Sequence, residues 1–373
     1  MDTCRVRRWS DEEFLANRAV WQQLLARSDA DALFMSWDWL STWWRHHGVT
    51  LGAELCVLGV YADSGDLCGL APFHMHRAVH RGVFAARRVE LLGNTWRDPA
   101  AVFSEYLDVI AAGEVRAAVC AAVDGWLRAS PDWDELLLCN VRESSVAAQL
   151  AGSLGKVAYV RSVEPMTGWN IPLPATFASF VTRLSSNTRR KVLHQREKLA
   201  DVSVDLVPQA LRGGALQRLD AFVARRWEAP SSGRSSIARF HADLIERLGS
   251  DETVRLTELR SGAACVSVML NLRVGGTEYY LQSGFDEAFA RGLSPGYLHL
   301  GYAIEAACRD GLRSFDFLAG PGLNRDYKQD FAAASDPLHT LHVVRKPVLR
   351  LLFRFFDQWR GRDLSHKSAR MLP

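Results

Sequence analysis

The stretch TEYYLQSGFDEAFARGLSPGYLHLGYAIEAACRDGLRSFDFL, residues 277–318, decides the fold. Glu278-Tyr279-Tyr280-Leu281 reads as a strand closed by Ser283-Gly284-Phe285-Asp286, and residues 291–296, Arg-Gly-Leu-Ser-Pro-Gly, read as a turn. A helix is expected to begin at Pro295 or Gly296, since proline suits a first helical turn. Leu300, Ile304, Ala307, Cys308 and Gly311 then recur at helical spacing, so one stripe of that helix should lie against a sheet. Gly311 reads as its C-cap, residues 313–318 as the next strand, and Gly320-Pro321-Gly322 as the exit. Strand, turn, packed helix and strand in this order place the chain in the α/β class, with mixed sheets.

The turn favours an anion. Gly292 and Gly296 let the backbone approach a ligand, and the unpaired amides of a first helical turn attract negative charge. Arg291 adds a full positive charge beside Ser294. The same loop also reads as a plain helix cap, and spacing alone does not separate the two.

Working outward, the N-terminal part shows helices at about 11–27 and 36–47, the second dense in Trp at 37, 39, 43 and 44. Strands are expected at 55–61 and 67–76 around an Asp63-Ser64-Gly65 turn, and at 88–92, 106–110 and 135–141, with a helix at about 114–129. Residues 165–174 hold three prolines and a glycine, a linker-like composition that should not form one regular element. The division is therefore drawn as 1–165, 166–345 and a basic amphipathic tail, 346–373. The second part is expected to hold helices at about 176–183, 186–200, 214–227 and 235–248. Its strands should lie at 202–207, 255–260, 264–273 and 278–283, then at 313–318 and 340–345.

Several motifs in order carry a resemblance. They are residues 279–286 (YYLQSGFD), Ser294-Pro295-Gly296, Phe315-Asp316-Phe317 and Tyr327-Lys328. Upstream stand residues 34–44 (FMSWDWLSTWW), 90–94 (ELLGN) and 105–108 (EYLD). Together they are similar to the cellulose-biosynthesis-protein type of GNAT acetyltransferase domain, which in turn resembles the Fem-type peptidoglycan aminoacyl transferases. The resemblance covers roughly residues 30–345. It implies two fused GNAT-like lobes and transfer of an acyl group from acetyl-CoA or another acyl-CoA, without a metal. It further implies that the pantetheine pairs with the splayed strand edge at Tyr280, Leu281 and Gln282, one of whose amides holds the thioester carbonyl. The coenzyme phosphates would then sit at Arg291, Gly292, Ser294 and Gly296. The first lobe is expected to be degenerate, since nothing between 60 and 140 offers a comparable anion loop.

Direct transfer needs the acceptor deprotonated, the carbonyl polarised and the thiolate protonated. The chain shows no Gly-x-Ser-x-Gly elbow and no Cys/His nucleophile motif, so covalent catalysis is the poorer reading. Asp316, flanked by Phe315 and Phe317 on a strand, faces away from both aromatics and is the leading carboxylate; a salt bridge to Lys328 or Arg325 is its plain alternative. By the resemblance, Lys328 would stabilise developing negative charge and Tyr327 would protonate the thiolate. Residues 185–198 set five cations against one carboxylate, so Arg189, Arg190 and Lys191 could meet phosphates or an anionic acceptor, or form a merely solvated face. Glu278 and Asp286 are further candidates for contacting the acceptor.

Composition agrees with a globular enzyme: 373 residues, 48% hydrophobic and 23% charged, enough for two cores. A net charge of +3 does not call for DNA. Seven scattered cysteines suggest neither disulfides nor zinc, and Cys139 and Cys308 read as small buried hydrophobes. His74, His76, His46 and His47 lack an identifiable third metal ligand and read as satisfied or surface side chains. No signal peptide or spanning run is visible, so a cytoplasmic location is expected. After the last strand, Val348, Leu351, Leu352, Phe355, Phe356 and Trp359 form an apolar arc opposite Arg350, Arg354 and Asp357. Such a helix either lies on an anionic membrane surface or packs across the lobes. The reading is an acyl-CoA acyltransferase acting on a saccharide or amino-acid-derived acceptor. Its rivals are an aminoacyl-tRNA-dependent transferase and a non-catalytic accessory protein of exopolysaccharide synthesis.

Overall fold

The computed structural model describes residues 4–96, 102–199, 201–226, 231–289, 292–319 and 327–368. Its strands are β1 (Arg5–Arg8), β2 (Glu54–Tyr61), β3 (Leu67–His80), β4 (Phe84–Leu91), β5 (Ile110–Ala111), β6 (Glu135–Arg142) and β7 (Tyr159–Pro172). They continue as β8 (Val202–Leu206), β9 (Val254–Ser261), β10 (Ala264–Val274), β11 (Thr277–Phe285), β12 (Ser314–Asp316) and β13 (Ala334–Val344). All belong to one mixed sheet in the order β1-β2-β3-β4-β6-β13-β7-β12-β11-β10-β9-β8, with β5 beside β3.

That order is symmetric about the β13/β7 pair. Counting inward from either end, β1 matches β8, β2 matches β9, β3 matches β10, β4 matches β11, β6 matches β12, and β13 matches β7. Each parallel contact has the same extent. β4 meets β6 over Arg88, Val89 and Glu90, and β11 meets β12 over Thr277, Glu278 and Tyr279. The connections carry matching helices, Arg116–Ala129 and Pro295–Arg309, as a parallel pair requires a crossover. β13 then inserts between β6 and β7, so each half of the order is completed by a strand from the other part of the chain. The repetition lies in strand order and register and has no close counterpart in the sequence.

The Trp-rich helix, Trp37–Trp43, is capped by Ser36 and fully internal. Trp37, Trp39 and Trp43 are buried, and each indole N–H finds an acceptor: Phe14 O at 2.8 Å, Ser104 Oγ at 2.8 Å and Val102 O at 3.0 Å. Cys139 and Cys308 are buried as expected.

Some expectations need correction. The proline-bearing stretch after 159 is regular: β7 runs to Pro172 along β13. Val163 pairs with Thr340 and Met166 with Leu338, so Glu164 and Pro165 together oppose the single residue His339. This bulge accommodates a residue without an N–H. Residues 106–110 do not form a strand; Tyr106 has φ of 54°, and only Ile110 and Ala111 pair with β3. The helix expected at 186–200 breaks after Ser186–Val192 into a 3-10 turn, His194–Lys198. β1, the helix Val146–Leu154 and the first six residues of β13 were not anticipated.

The C-terminal helix, Pro347–Ser368, packs on the sheet rather than standing free. Leu349, Leu352 and Phe353 meet Ala86, Val344 and Tyr159. Asp357, expected on the solvent side, turns inward: it accepts from Tyr159 Oη at 2.8 Å and pairs with Arg161 at 2.6 Å. Among the described residues no helix is long and apolar enough to cross a membrane.

Candidate active site

β11 is paired along its whole length with β10 but meets β12 only as far as Tyr279. From Tyr280 onward its other edge has no neighbouring strand among the described residues. The register with β10 shifts at the same place, Leu270 facing Gln282 and Asn271 facing Tyr280, so Leu281 is bulged. A bulge bends the strand and turns its edge outward. Meanwhile β12 leaves in the other direction, Phe317 N donating to Trp169 O at 2.8 Å. Among the described residues the strands therefore part as a wedge between 280–285 and 317–319.

The helix Pro295–Arg309 begins at the mouth of this wedge. Gly292 has φ of 79°, a backbone region that disfavours a side chain. A Cβ on Gly296 would lie 2.8 Å from the Phe285 ring, so glycine is what lets the helix start against β11. Gln195 holds the turn with both ends of its amide: Nε2 donates to Gly292 O at 3.0 Å, and Oε1 accepts from Ser294 N at 2.9 Å. The sequence reading missed this residue because it drew one continuous helix there; the 3-10 turn is what directs Gln195 inward. Lys191 stands 4.2 Å over the Tyr297 ring at the same corner. Arg291 lies outside the described residues, as do Gly320, Pro321, Gly322 and Arg325.

The wedge has two unlike faces. On one, Tyr280, Phe317, Tyr327, Tyr297 and Phe331 form an aromatic wall with ring centroids 5.3–6.4 Å apart. On the other, Tyr279 and Asp316 look into the first part of the chain. Tyr279 Oη donates to Asp31 at 3.0 Å, and Tyr106 Oη donates to Asp316 Oδ1 at 3.1 Å. Burial pushes the Asp316 carboxyl up to about 8; the Leu318 N–H offsets this in part, while Glu105 and Asp31 reinforce it. Burial raises Asp31 as well. Asp316 therefore carries a proton at neutral pH. The cavity of about 40 Å³ lined by Asp31, Tyr106 and Arg142 has room for a water or two, so no acceptor enters from that side.

The exit of β12 is clamped by charge. Leu318 adopts φ of 60°, unusual for a leucine. Its N–H donates to Asp316 Oδ1 at 2.7 Å, and the N–H of Ala319 donates to Glu105. Both carbonyls accept from Lys328 Nζ, Leu318 O at 2.7 Å and Ala319 O at 2.8 Å. Lys328 thus meets backbone rather than Asp316, and the anticipated salt bridge between them does not form.

Other candidates have hydrogen-bond partners of their own. Glu278 is buried and takes Asn271 Nδ2 at 2.6 Å and Arg273 Nε at 2.8 Å. Gln282 bonds His241, whose pKa burial lowers to about 4. Asp286 accepts from Ala288 N at 2.9 Å and shapes a turn. Arg189 donates to Leu184 O at 3.3 Å, and exposed Arg190 donates to Asn187 at 3.1 Å. Among the described residues no group of three or more His, Cys, Asp or Glu is placed to hold a metal.

The helix-linked parallel pair and the glycine-bearing helix start lie in a part of the chain that the comparisons also single out. Residues 186–329 match the family described as acetyltransferase (GNAT) domain. No curated protein matches the chain. Among solved structures, FemX is similar at 12% identity and a TM-score of 0.60, over 93% of this chain and 99% of that one. A conserved protein of unknown function from Bacteroides thetaiotaomicron follows at 12% and 0.56, over 88% and 97%. L-PGS from Bacillus licheniformis stands at 11% and 0.50, over 92% and 96%. At these identities the likeness is one of fold.

Proposed function

We propose that the protein transfers an acyl group from acyl-coenzyme A directly to an amine or hydroxyl of a sugar, a polysaccharide precursor or an amino-acid-derived acceptor, in the cytoplasm. The observation that carries this reading is the stretch of β11 beyond Tyr279, which has no second strand neighbour among the described residues, beside the Gly292–Gly296 turn. The pantetheine lies along residues 280–285, where one amide polarises the thioester carbonyl. The phosphates meet the turn amides and Lys191. The acceptor heteroatom attacks the carbonyl carbon, the C–S bond breaks, and the thiolate takes a proton from Tyr327. The acceptor's proton passes to solvent, since Asp316 faces the buried side with Tyr106 and does not meet the acceptor. The lobes of this reading are 1–165 and 166–345, and the reacting centre belongs to the second.

A second reading, transfer from aminoacyl-tRNA, is favoured by the likeness to FemX over nearly the whole of both chains. The basic residues 189–198 suit a tRNA as they suit a coenzyme. Calorimetric titration with acetyl-CoA and longer acyl-CoAs, alongside filter binding of aminoacyl-tRNA in rising salt, separates the two. Saturable thioester binding that weakens about tenfold in Gln195→Ala supports the first. Salt-sensitive tRNA binding with indifference to coenzyme A transfers the assignment to the second. Binding of neither ligand leaves an accessory role in exopolysaccharide synthesis.

A further inference from the structure

The C-terminal helix carries two apolar faces, and among the described residues only one is packed. Leu349, Leu352 and Phe353 are packed on the sheet. Val348, Leu351, Phe355 and Trp359, spaced three, four and four residues apart, form a second stripe that is 54–69% exposed. The β3–β4 hairpin adds to it. Its turn residue Arg81 stands 3.8 Å over the Phe356 ring, and Val79 and Val83, which flank the turn, are 56% and 75% exposed. A contiguous exposed apolar face of this kind marks an interaction surface.

The charge around the stripe selects the partner. Arg81 borders it on one side, and Arg354, 5.2 Å over Tyr159, on the other. The acid nearest in sequence, Asp357, is consumed by Tyr159 and Arg161. We propose that this stripe and the hairpin tip seat the protein on an anionic phospholipid surface, the aromatics entering the interface while the arginines meet headgroup phosphates. A second copy of the chain would bury the same apolar side chains but would bring the two sets of arginines together, so charge favours the lipid. The proposal does not depend on the acyl donor, since docking is read without any donor present.

The test is flotation of the full chain with phosphatidylcholine vesicles, with and without phosphatidylglycerol. Wild type is expected to float with the phosphatidylglycerol vesicles, to be released at about 0.5 M salt, and to bind at least about tenfold less to phosphatidylcholine alone. Leu351→Glu/Phe355→Glu should lower binding at least about tenfold again, with circular dichroism and melting unchanged because both side chains are exposed. Failure of wild type to float, or undiminished binding of the double variant, overturns the proposal. A concentration-dependent dimer that the double variant abolishes, without flotation, also overturns it and assigns the face to a second copy.

Discussion

Lys328→Met tests whether the ammonium holds the β12 exit or acts on the reacting atoms. In the structure it is buried and donates to two carbonyls, Leu318 O at 2.7 Å and Ala319 O at 2.8 Å. Hydrogen bonds from a charged donor contribute roughly 1.5–3 kcal/mol each. Methionine fills much of the same volume and does not bury a charge, which returns part of that loss, so the net cost is about 3 kcal/mol. The leucine at φ of 60° adds about 1 kcal/mol of backbone strain that the clamp keeps in place. For 373 residues the unfolding entropy implies a fall in Tm of about 4 °C. Urea denaturation and differential scanning calorimetry read the stability, and release of coenzyme A from acyl-CoA reads the chemistry. A variant that melts within about 0.5 kcal/mol of wild type yet loses coenzyme A release refutes the clamp and returns Lys328 to a transition-state role.

Asp316→Asn should flatten the pH dependence of stability. The folded carboxyl is raised to about 8, so the native state holds a proton that the unfolded chain releases above about 4, and wild type loses stability as pH rises between those values. The variant should gain on wild type by about 1.4 kcal/mol for each unit in that window, as an upper bound; Tm curves that run parallel from pH 4 to 8 would falsify the buried-acid assignment. Gln195→Ala removes both bonds to the helix-start turn and is expected to cost about 1–2 kcal/mol and to weaken acyl-CoA binding about tenfold, measured by denaturation and calorimetry. Gly301→Ala places a methyl 2.6 Å from Val192 Cγ1 and 2.8 Å from Val192 O. The overpacking cost of about 2 kcal/mol should exceed the helix-propensity gain of about 1, and a net increase in Tm would contradict the close helix contact. Glu135→Gln breaks a buried carboxylate that Arg88, His80 and His342 share at 2.7, 2.8 and 2.9 Å. Burial acts upward on this group, but those partners hold it well below the ordinary range, so its contribution is full above about 4.5 and fades as pH falls. The expected loss at neutral pH is about 3 kcal/mol by urea denaturation, and no loss would mean the network is not intact.

The strand at Glu278, the helix beginning at Pro295 and the strand around Phe315 were legible because each has an unbroken period and a turn at its boundary. Alternation also told correctly that Asp316 leaves the side of Phe315 and Phe317. What it faces was not legible: Tyr106 is 210 positions away and reaches Asp316 only because β6, β13 and β7 bring the two parts of the chain into one sheet. β7 was hidden because Pro165 and Pro172 suppress a strand reading, although a bulge admits the first and a strand end the second. The role of Lys328 was obscured for a similar reason. Its two acceptors are backbone carbonyls, which carry no signature in the side-chain pattern. On the C-terminal helix, periodicity found an apolar arc but not which part of it the sheet would cover. Residues as near as Leu349 and Leu351 end on different faces.

Matched halves of one sheet order pose the question of why one wedge is a candidate site and its counterpart is not. The three-residue parallel contact of β4 with β6 occupies the place that the contact of β11 with β12 occupies opposite. In the first, the polar groups of the contact are spent on one another: Arg88 binds Glu135 and Glu90, and His76, His80 and His342 take the remaining acceptor positions. The chain leaving β4 folds back, with Trp96 N on Glu90 Oε2 at 3.0 Å, and Phe353 of the C-terminal helix packs against His80 and His342. In the second, Glu278 is likewise satisfied, but beyond Tyr279 β11 is bulged and has no second strand neighbour among the described residues, and a helix start held by Gln195 stands beside it. Charge used internally closes the first contact, and an edge with no second strand neighbour among the described residues marks the other. A fold that repeats its frame can therefore differ between its halves in where the hydrogen-bonding groups find partners within the sheet.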